Sequence, residues 1–193
     1  MITLLARIFI REDDKPEKVR LAYGILCGIV GILLNVLLFT GKFIAGTISK
    51  SIAITADAFN NLSDAGSSIV TLLGFKLGAA KPDPEHPFGH GRMEYISGLL
   101  VSVAILVMGF ELIGSSIGKL RSPEPIESSA LVFGILIASI LVKLYMFFYN
   151  HSLSKKIESA AMKATSVDSL SDTVATTLVL IATLISKYTG LLL

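Results

Sequence analysis

The chain has 193 residues, of which 52% are hydrophobic and only 17% charged, and its mean hydropathy is +0.72. Soluble domains carry about a quarter charged residues, so this composition argues against a soluble globular protein. The net charge of +2 is too small to indicate a nucleic-acid partner.

The apolar residues form runs of about 20 residues or more, long enough to cross a bilayer core about 30 Å thick. A charged cytoplasmic segment is predicted at 1–20, five spans at roughly 21–46, 51–79, 95–118, 128–150 and 160–186, and a short C-terminal remnant at 187–193. The runs lack the period of two expected of a barrel strand. The sequence therefore predicts an all-α, polytopic membrane protein whose transmembrane helical domain covers 21–186.

Positive charge is concentrated on one side of the predicted spans. Lysines and arginines cluster in the N-terminal segment, in the connector 81–92 and at 155–163, whereas the other connectors carry few. Such residues favour the cytoplasmic side of a membrane. We therefore expect a multi-pass protein of a bacterial cell membrane, with its N-terminus and the connector 81–92 in the cytoplasm.

Two predicted spans carry matching pairs of oxygen ligands. The second contains Asn60 and Asp64 and the fifth contains Asp168 and Asp172, each pair separated by one helical turn. An ionised carboxylate at mid-bilayer costs at least ~2.5–3 kcal/mol, so several together require compensation. The alternative is a protonated or helix-bridging aspartate. A bound divalent cation explains the whole set, and we predict that these four residues form a transport site.

The ligand types restrict the metal. Carboxylate and amide oxygens are hard donors, whereas a zinc site normally includes His or Cys. We expect Mn²⁺ first, Fe²⁺ second and Zn²⁺ third, as transported ions, with no cofactor. Carboxylates shared by two helices are typical of a site exposed alternately to each side, where protons compete with the metal.

The connector 81–92 supplies a second candidate site. Asp83, His86 and His90 are two imidazoles and a carboxylate close in sequence, a set that suits a transition metal. We predict a weaker, accessory cytoplasmic site there. The alternative is a solvated loop with ordinary polar residues.

Other polar residues within the spans have several interpretations. Asp57 either lines an exit path or bonds to a neighbouring helix, and Lys143 either pairs with Glu111 or compensates the carboxylates when metal is absent. Small residues permit close helix packing. This role is expected of Gly41, Gly46 and Gly66.

Three motifs, in order, carry a resemblance to a known family: Ala56-Asp-Ala-Phe-Asn-Asn-Leu-Ser-Asp64, His86-Pro-Phe-Gly-His-Gly-Arg92, and Asp168-x-x-x-Asp172. Over roughly residues 20–186 the chain resembles the cation diffusion facilitator family. The resemblance implies a homodimeric, proton-coupled metal exporter with the transport site and the accessory site named above. Aspartate at position 168, where zinc members carry histidine, together with Asn60, is similar to the manganese branch.

The resemblance also implies a sixth span and a cytoplasmic C-terminal domain, neither of which is expected before the chain ends at Leu193. One alternative function is therefore a non-transporting fragment or regulatory partner of a full-length metal transporter. An intramembrane aspartyl protease is disfavoured because the aspartates follow Leu-Ser rather than a Gly-x-Gly motif. A channel is disfavoured because a multidentate carboxylate site holds its ion too firmly. We predict that the chain is not an enzyme.

Overall fold

The computed structural model describes residues 16–49, 52–121 and 129–189. Within these ranges the chain forms five α-helices and no β-strand, which confirms the predicted all-α class. The helices are α1 (Pro16–Ser49), α2 (Ile52–Gly78), α3 (Arg92–Arg121), α4 (Ala130–Lys156) and α5 (Ala160–Thr189). Each corresponds to one predicted span, with ends that differ by a few residues.

Some predicted segments lie outside the described residues. Of the predicted N-terminal segment 1–20, only residues 16–20 are described, and they form the beginning of α1. Residues 1–15, 50–51 and 122–128 lie outside the described ranges, as do residues 190–193 of the predicted C-terminal remnant. Residues 187–189 of that remnant belong to α5.

Four of these helices, α1, α3, α4 and α5, are long and apolar enough to cross a membrane. The remaining helix, α2, has 27 residues, which at 1.5 Å per residue give about 40 Å, more than the bilayer core requires. Its apolar character is interrupted by Asp57, Asn60, Asn61 and Asp64. That α2 also spans the membrane stays a prediction. In a membrane-spanning α2, these polar residues are expected to face the other helices or a water-filled cavity rather than lipid.

A short connection holds α4 and α5 together as antiparallel neighbours. The backbone N–H of Ile157 donates to the carbonyl of Leu153 at the end of α4, and Glu158 turns the chain with a φ of 50°. The hydroxyl of Ser159 then accepts a hydrogen bond from the N–H of Met162, which caps the start of α5. This turn fixes the register in which residues of α4 face residues of α5.

The antiparallel pair α1–α2 is closely packed at glycines. A Cβ atom on Gly28 would lie 2.7 Å from Leu72 Cβ, and one on Gly31 would lie 2.8 Å from Ser68 Oγ. Gly46 has the same role near Thr55, as the sequence predicted. The same prediction is wrong for Gly41 and Gly66, where an added Cβ would meet no described atom within 4 Å.

The bundle has apolar clusters near its two ends and polar residues between them. One cluster joins Tyr23, Phe75, Leu153 and Ile157, where α1 and α5 begin and α2 and α4 end. A smaller cluster at the opposite end joins Ile54, Val132 and Leu136. Many large apolar side chains are exposed, among them Leu33, Leu37, Leu106, Phe110 and Leu178. Exposed apolar side chains around buried polar ones are the arrangement expected of a membrane protein.

Candidate metal centre

Three carboxylates meet between α2 and α5 in the interior of the bundle. Asp64 of α2 is 3% exposed and Asp168 of α5 is 4% exposed, while the side chain of Asp172, one turn further along α5, is 26% exposed. One oxygen from each residue lies within 4.8 Å of the others. Because metal–oxygen bonds are about 2.0–2.6 Å long, oxygens around a single ion lie up to about 4–5 Å apart. The three side chains have the spacing that one cation requires.

The fourth predicted ligand is placed differently. Asn60 lies one turn before Asp64 on α2, as the sequence indicates, but its side chain is exposed. The fold therefore buries Asp64 and Asp168, covers Asp172 in part, and leaves Asn60 at an exposed position on α2. A role for Asn60 in metal binding stays a prediction.

One oxygen of Asp64 is unsatisfied within the described ranges. Asp64 Oδ1 is buried and has no hydrogen-bond partner there. Buried polar atoms almost always have a partner, so an unpaired carboxylate oxygen at the centre of an acidic cluster needs an explanation. A cation bound by Asp64, Asp168 and Asp172 would supply one.

Lys143 lies within the cluster. Its side chain is 3% exposed, and its Nζ donates a hydrogen bond of 2.6 Å to Asp64 Oδ2. The same Nζ lies 2.6 Å from Asp172 Oδ2. Of the two interpretations drawn from the sequence, compensation of the carboxylates by Lys143 is confirmed. Pairing with Glu111 is wrong, because the α4–α5 hairpin directs Lys143 toward α2 and α5 while Glu111 is exposed on α3.

Small hydroxyl residues let α2 and α5 approach each other next to the cluster. The hydroxyls of Thr71 and Thr165 lie 3.2 Å apart across the two helices. Ser68 and Ser169 are buried and donate to carbonyls of their own helices, Ser68 to that of Asp64. Their small side chains allow the two helices to lie close together, and their hydroxyl groups are satisfied by hydrogen bonds. This close packing holds the aspartates of α2 and α5 near one another.

The connector between α2 and α3 brings together the second predicted set. Asp83, His86 and His90 offer ligand atoms that lie within 4.8 Å of one another. His86 Nδ1 lies 3.1 Å from Asp83 Oδ1, and His90 Nε2 lies 3.4 Å from Asp83 Oδ2. Gly89, with a φ of +78°, permits the turn between the two histidines. Whether the loop binds a metal stays a prediction.

The pKa of Asp83 is lowered from its ordinary value. Desolvation acts in the opposite direction and raises the pKa, but it is outweighed by hydrogen bonds from the backbone and the ring of His86 and by the nearby His90 ring. The N–H of His86 donates to Asp83 Oδ1 over 2.6 Å. The carboxylate is therefore held ionised, which is the form that binds a metal.

Two further ion pairs lie toward the helix ends. Lys42 Nζ of α1 lies 2.8 Å from Asp57 Oδ2 of α2, so Asp57 bonds to a neighbouring helix, one of the two roles considered for it. Arg20 of α1 lies 2.8 Å from Glu94 of α3, a pair that was not predicted from the sequence. Glu94 lies in the first turn of α3, next to charged and polar residues, and this local sequence gives no sign that its side chain is buried.

The chain matches the family described as the cation efflux transmembrane domain over residues 28–192. It is 31% identical over 178 residues to an uncharacterized transporter of Methanocaldococcus jannaschii, which covers 92% of this chain and 59% of that protein. It is 33% identical over 149 residues to the manganese efflux system protein MneS of Bacillus subtilis, covering 75% of this chain and 50% of the relative. It is also 24% identical over 179 residues to the zinc transporter ZitB of Escherichia coli, a match that covers 93% of this chain and 54% of that protein. The chain thus spans about half of each relative's length, or slightly more.

Proposed function

Because the chain belongs to the cation efflux family, the cation diffusion facilitator family that its motifs resemble, we propose that it exports a divalent metal cation across a membrane. Within the described part of the chain, four helices are long and apolar enough to cross a bilayer, which agrees with an integral membrane protein. The family is one of transporters rather than enzymes. The observation that carries the proposal is the convergence of Asp64, Asp168 and Asp172 in the bundle interior.

The proposed transport site consists of these three carboxylates, with Asn60 as a further oxygen ligand. Water and backbone oxygens would complete the coordination of a six-coordinate ion. We propose Mn²⁺ as the transported cation, ahead of Fe²⁺ and Zn²⁺, because all donors are hard oxygens. A relative named for manganese efflux, MneS, and one named for zinc, ZitB, are both similar to this chain. The proposed order of metals therefore rests on the donor set and not on the relatives.

The proposed mechanism is alternating access coupled to protons. With the N-terminus and the α2–α3 connector in the cytoplasm, the cation enters from the cytoplasmic side and replaces protons on the carboxylates. Movement of helices relative to one another then opens the site to the other side. Protons entering there compete for the same lone pairs and release the metal. We propose that the transporter acts as a homodimer in a bacterial cell membrane.

The connector site is proposed as an accessory cytoplasmic site. Asp83, His86 and His90 hold a cation on a loop outside the bundle, joined directly to α2, which carries Asp64. Cation binding there would raise the local concentration of metal at the cytoplasmic entrance. Its exposed position predicts weaker binding than in the bundle interior, because water competes for the ligands.

Flux measurements test the central claim. The full chain, reconstituted in vesicles, is expected to move Mn²⁺ down its gradient, and Asp64→Ala and Asp172→Ala are expected to abolish that flux. Glu111→Ala is the matched control, because it removes an exposed carboxylate of α3 that lies outside the cluster. Undiminished flux in either aspartate variant would refute the site. Mn²⁺ binding that depends on Asp64, without flux in the wild type, would favour the alternative of a regulatory partner of a longer transporter.

A further inference from the structure

The ammonium group of Lys143 lies where the proposed cation would bind. Its Nζ is 2.6 Å from Asp64 Oδ2 on α2 and 2.6 Å from Asp172 Oδ2 on α5, so it bridges the two helices that supply the carboxylates. A divalent ion bound to these same oxygens would displace Lys143, because two cations repel each other at such distances. Metal entry therefore requires the lysine side chain to leave.

The register of α1 against α2 indicates where an acceptor for that ammonium lies. Gly31 of α1 faces Ser68 of α2, and the two helices are antiparallel. One turn after Gly31 is Asn35 and one turn before Ser68 is Asp64, so Asn35 and Asp64 lie at the same level. Asn35 is 1% exposed, and its Oδ1 has no hydrogen-bond partner among the residues described. A Cβ on Gly31 would also lie 3.8 Å from Tyr149 Oη of α4, so this face of α1 is turned toward α4. An amide oxygen is an acceptor that a lysine ammonium can use.

A second unpaired acceptor lies on α4 itself. Ser139 is one turn before Lys143 on the same face of the helix and is 1% exposed. Its Oγ has no hydrogen-bond partner within the described ranges. Buried polar atoms usually have a partner. Two that lack one are Asn35 Oδ1, on the residue of α1 that is level with Asp64, and Ser139 Oγ, one turn from Lys143 on α4.

We propose that Lys143 is a tethered counter-cation, which holds Asp64 and Asp172 together in the metal-free protein and withdraws to Asn35 and Ser139 when the transported cation binds. This inference rests on the proposed function, since it assumes that the carboxylates receive a cation. It assigns a positioning role to three residues that are not themselves metal ligands.

The charges explain why such an exchange favours a divalent ion. Metal binding requires ionised carboxylates, and in that form the three carboxylates and the Lys143 ammonium together carry a net charge of −2. A monovalent cation that displaces the ammonium only replaces one single charge by another. A divalent cation brings twice the charge to the same oxygens, so its attraction to them is larger. Because Lys143 and Asn35 belong to different helices, the exchange also changes the contact between α4 and α1.

The test measures binding of Mn²⁺ to the purified full chain in detergent, with His86→Ala and His90→Ala present throughout to remove the loop site. Lys143→Met is expected to increase the affinity for Mn²⁺ at least tenfold, because the competing ammonium is gone. Lys42→Met is the matched control, since Lys42 is equally buried and ion-paired but lies near Asp57. It is expected to leave the affinity unchanged. An affinity that Lys143→Met leaves unchanged or lowers would overturn the proposal.

A second variant leaves Lys143 in place. Asn35→Leu is expected to weaken Mn²⁺ binding several-fold when Lys143 is present, because the displaced ammonium loses an acceptor, and to have no effect in the Lys143→Met background. Equal effects in both backgrounds would contradict the proposal. If Lys143→Met does not fold, as judged by gel filtration, unchanged Mn²⁺ binding by Asn35→Leu alone would overturn it, and weakened binding would support it. Failure of the proposed function is recognised separately, because Asp64→Ala would then leave Mn²⁺ binding unaltered.

Discussion

Lys42 of α1 and Asp57 of α2 form an ion pair of 2.8 Å, and Asp57 lies two turns before Asp64 on α2. The two partners differ in exposure, with the side chain of Lys42 at 3% and that of Asp57 at 37%. The lysine therefore depends on the aspartate for compensation of its charge, whereas the aspartate is partly solvated. This asymmetry decides which single substitution is more harmful.

Replacing Asp57 with Asn is expected to destabilise the protein, because it leaves the buried Lys42 ammonium without an opposite charge. Removal of one partner from a fully buried pair costs about 3–5 kcal/mol, and the partial exposure of Asp57 reduces this to about 1–3 kcal/mol. Thermal unfolding in detergent measures the change. The double variant Lys42→Met, Asp57→Leu should recover much of the loss, and equal stability of Asp57→Asn and wild type would contradict the prediction.

Glycine substitutions in α1 test the close packing against α2. Gly28→Ala is expected to lower stability by about 1–3 kcal/mol, because the new Cβ would lie 2.7 Å from Leu72 Cβ and force the helices apart. Gly41→Ala is the matched control in the same helix, since an added Cβ there meets no described atom within 4 Å. Alanine is the better helix former by about 0.5–1 kcal/mol, so Gly41→Ala should be neutral or stabilising. Thermal unfolding that orders the two variants the other way would show that the register is wrong.

Replacing Asp168 with His is expected to move the metal preference toward Zn²⁺. An imidazole in place of a carboxylate makes the donor set softer and more suited to zinc than to manganese. We expect the ratio of Zn²⁺ to Mn²⁺ affinity to increase by about tenfold or more, since nitrogen donors favour later transition metals. Competition binding with both metals, in chains that lack His86 and His90, measures the ratio. A ratio that does not change would show that Asp168 is not a ligand.

Removing the imidazoles of the connector should abolish one cation site and leave the other. The double variant His86→Ala, His90→Ala is expected to bind one Zn²⁺ fewer per chain than the wild type, because the two sets of ligands lie on separate parts of the molecule. Isothermal titration measures the stoichiometry. His151→Ala, which removes the remaining histidine, is the control. This variant should bind as many Zn²⁺ ions per chain as the wild type. An unchanged stoichiometry in the double variant would identify the connector as a plain solvated loop.

The connector should keep its structure down to a pH below the ordinary pKa of an aspartate side chain. The pKa of Asp83 is lowered from 3.8 in the folded loop, so its contribution to stability is present above that value and is lost as pH falls through the lowered pKa. The N–H of His86 donates to this carboxylate, and its NMR shift should report the change. The transition should have its midpoint below pH 3.8 and should disappear in Asp83→Asn. A midpoint above 3.8 would be inconsistent with the hydrogen bonds described.

Much of the molecule could be predicted from sequence because its determinants are local. Apolar runs of sufficient length predict helices, and their five positions agree with α1 to α5. A spacing of four residues places Asp168 and Asp172 on one helix face. Asp83, His86 and His90 are so close in the chain that a turn at Gly89 is enough to bring them together.

Contacts between distant residues required the tertiary structure. Lys143 follows Asp64 by 79 residues, and its position depends on the α4–α5 turn and on the packing of α5 against α2. Periodicity showed a lysine inside a span but not which charge it faces, and Glu111 was an equally reasonable partner. The exposure of Asn60 and the burial of Glu94 depend likewise on which neighbouring helices cover them. The sequence alone therefore determined the helices and the acidic residues they carry, since hydropathy and helical spacing act locally. Only the packing of the helices decided that an ammonium lies among the carboxylates, because its partners come from separate helices.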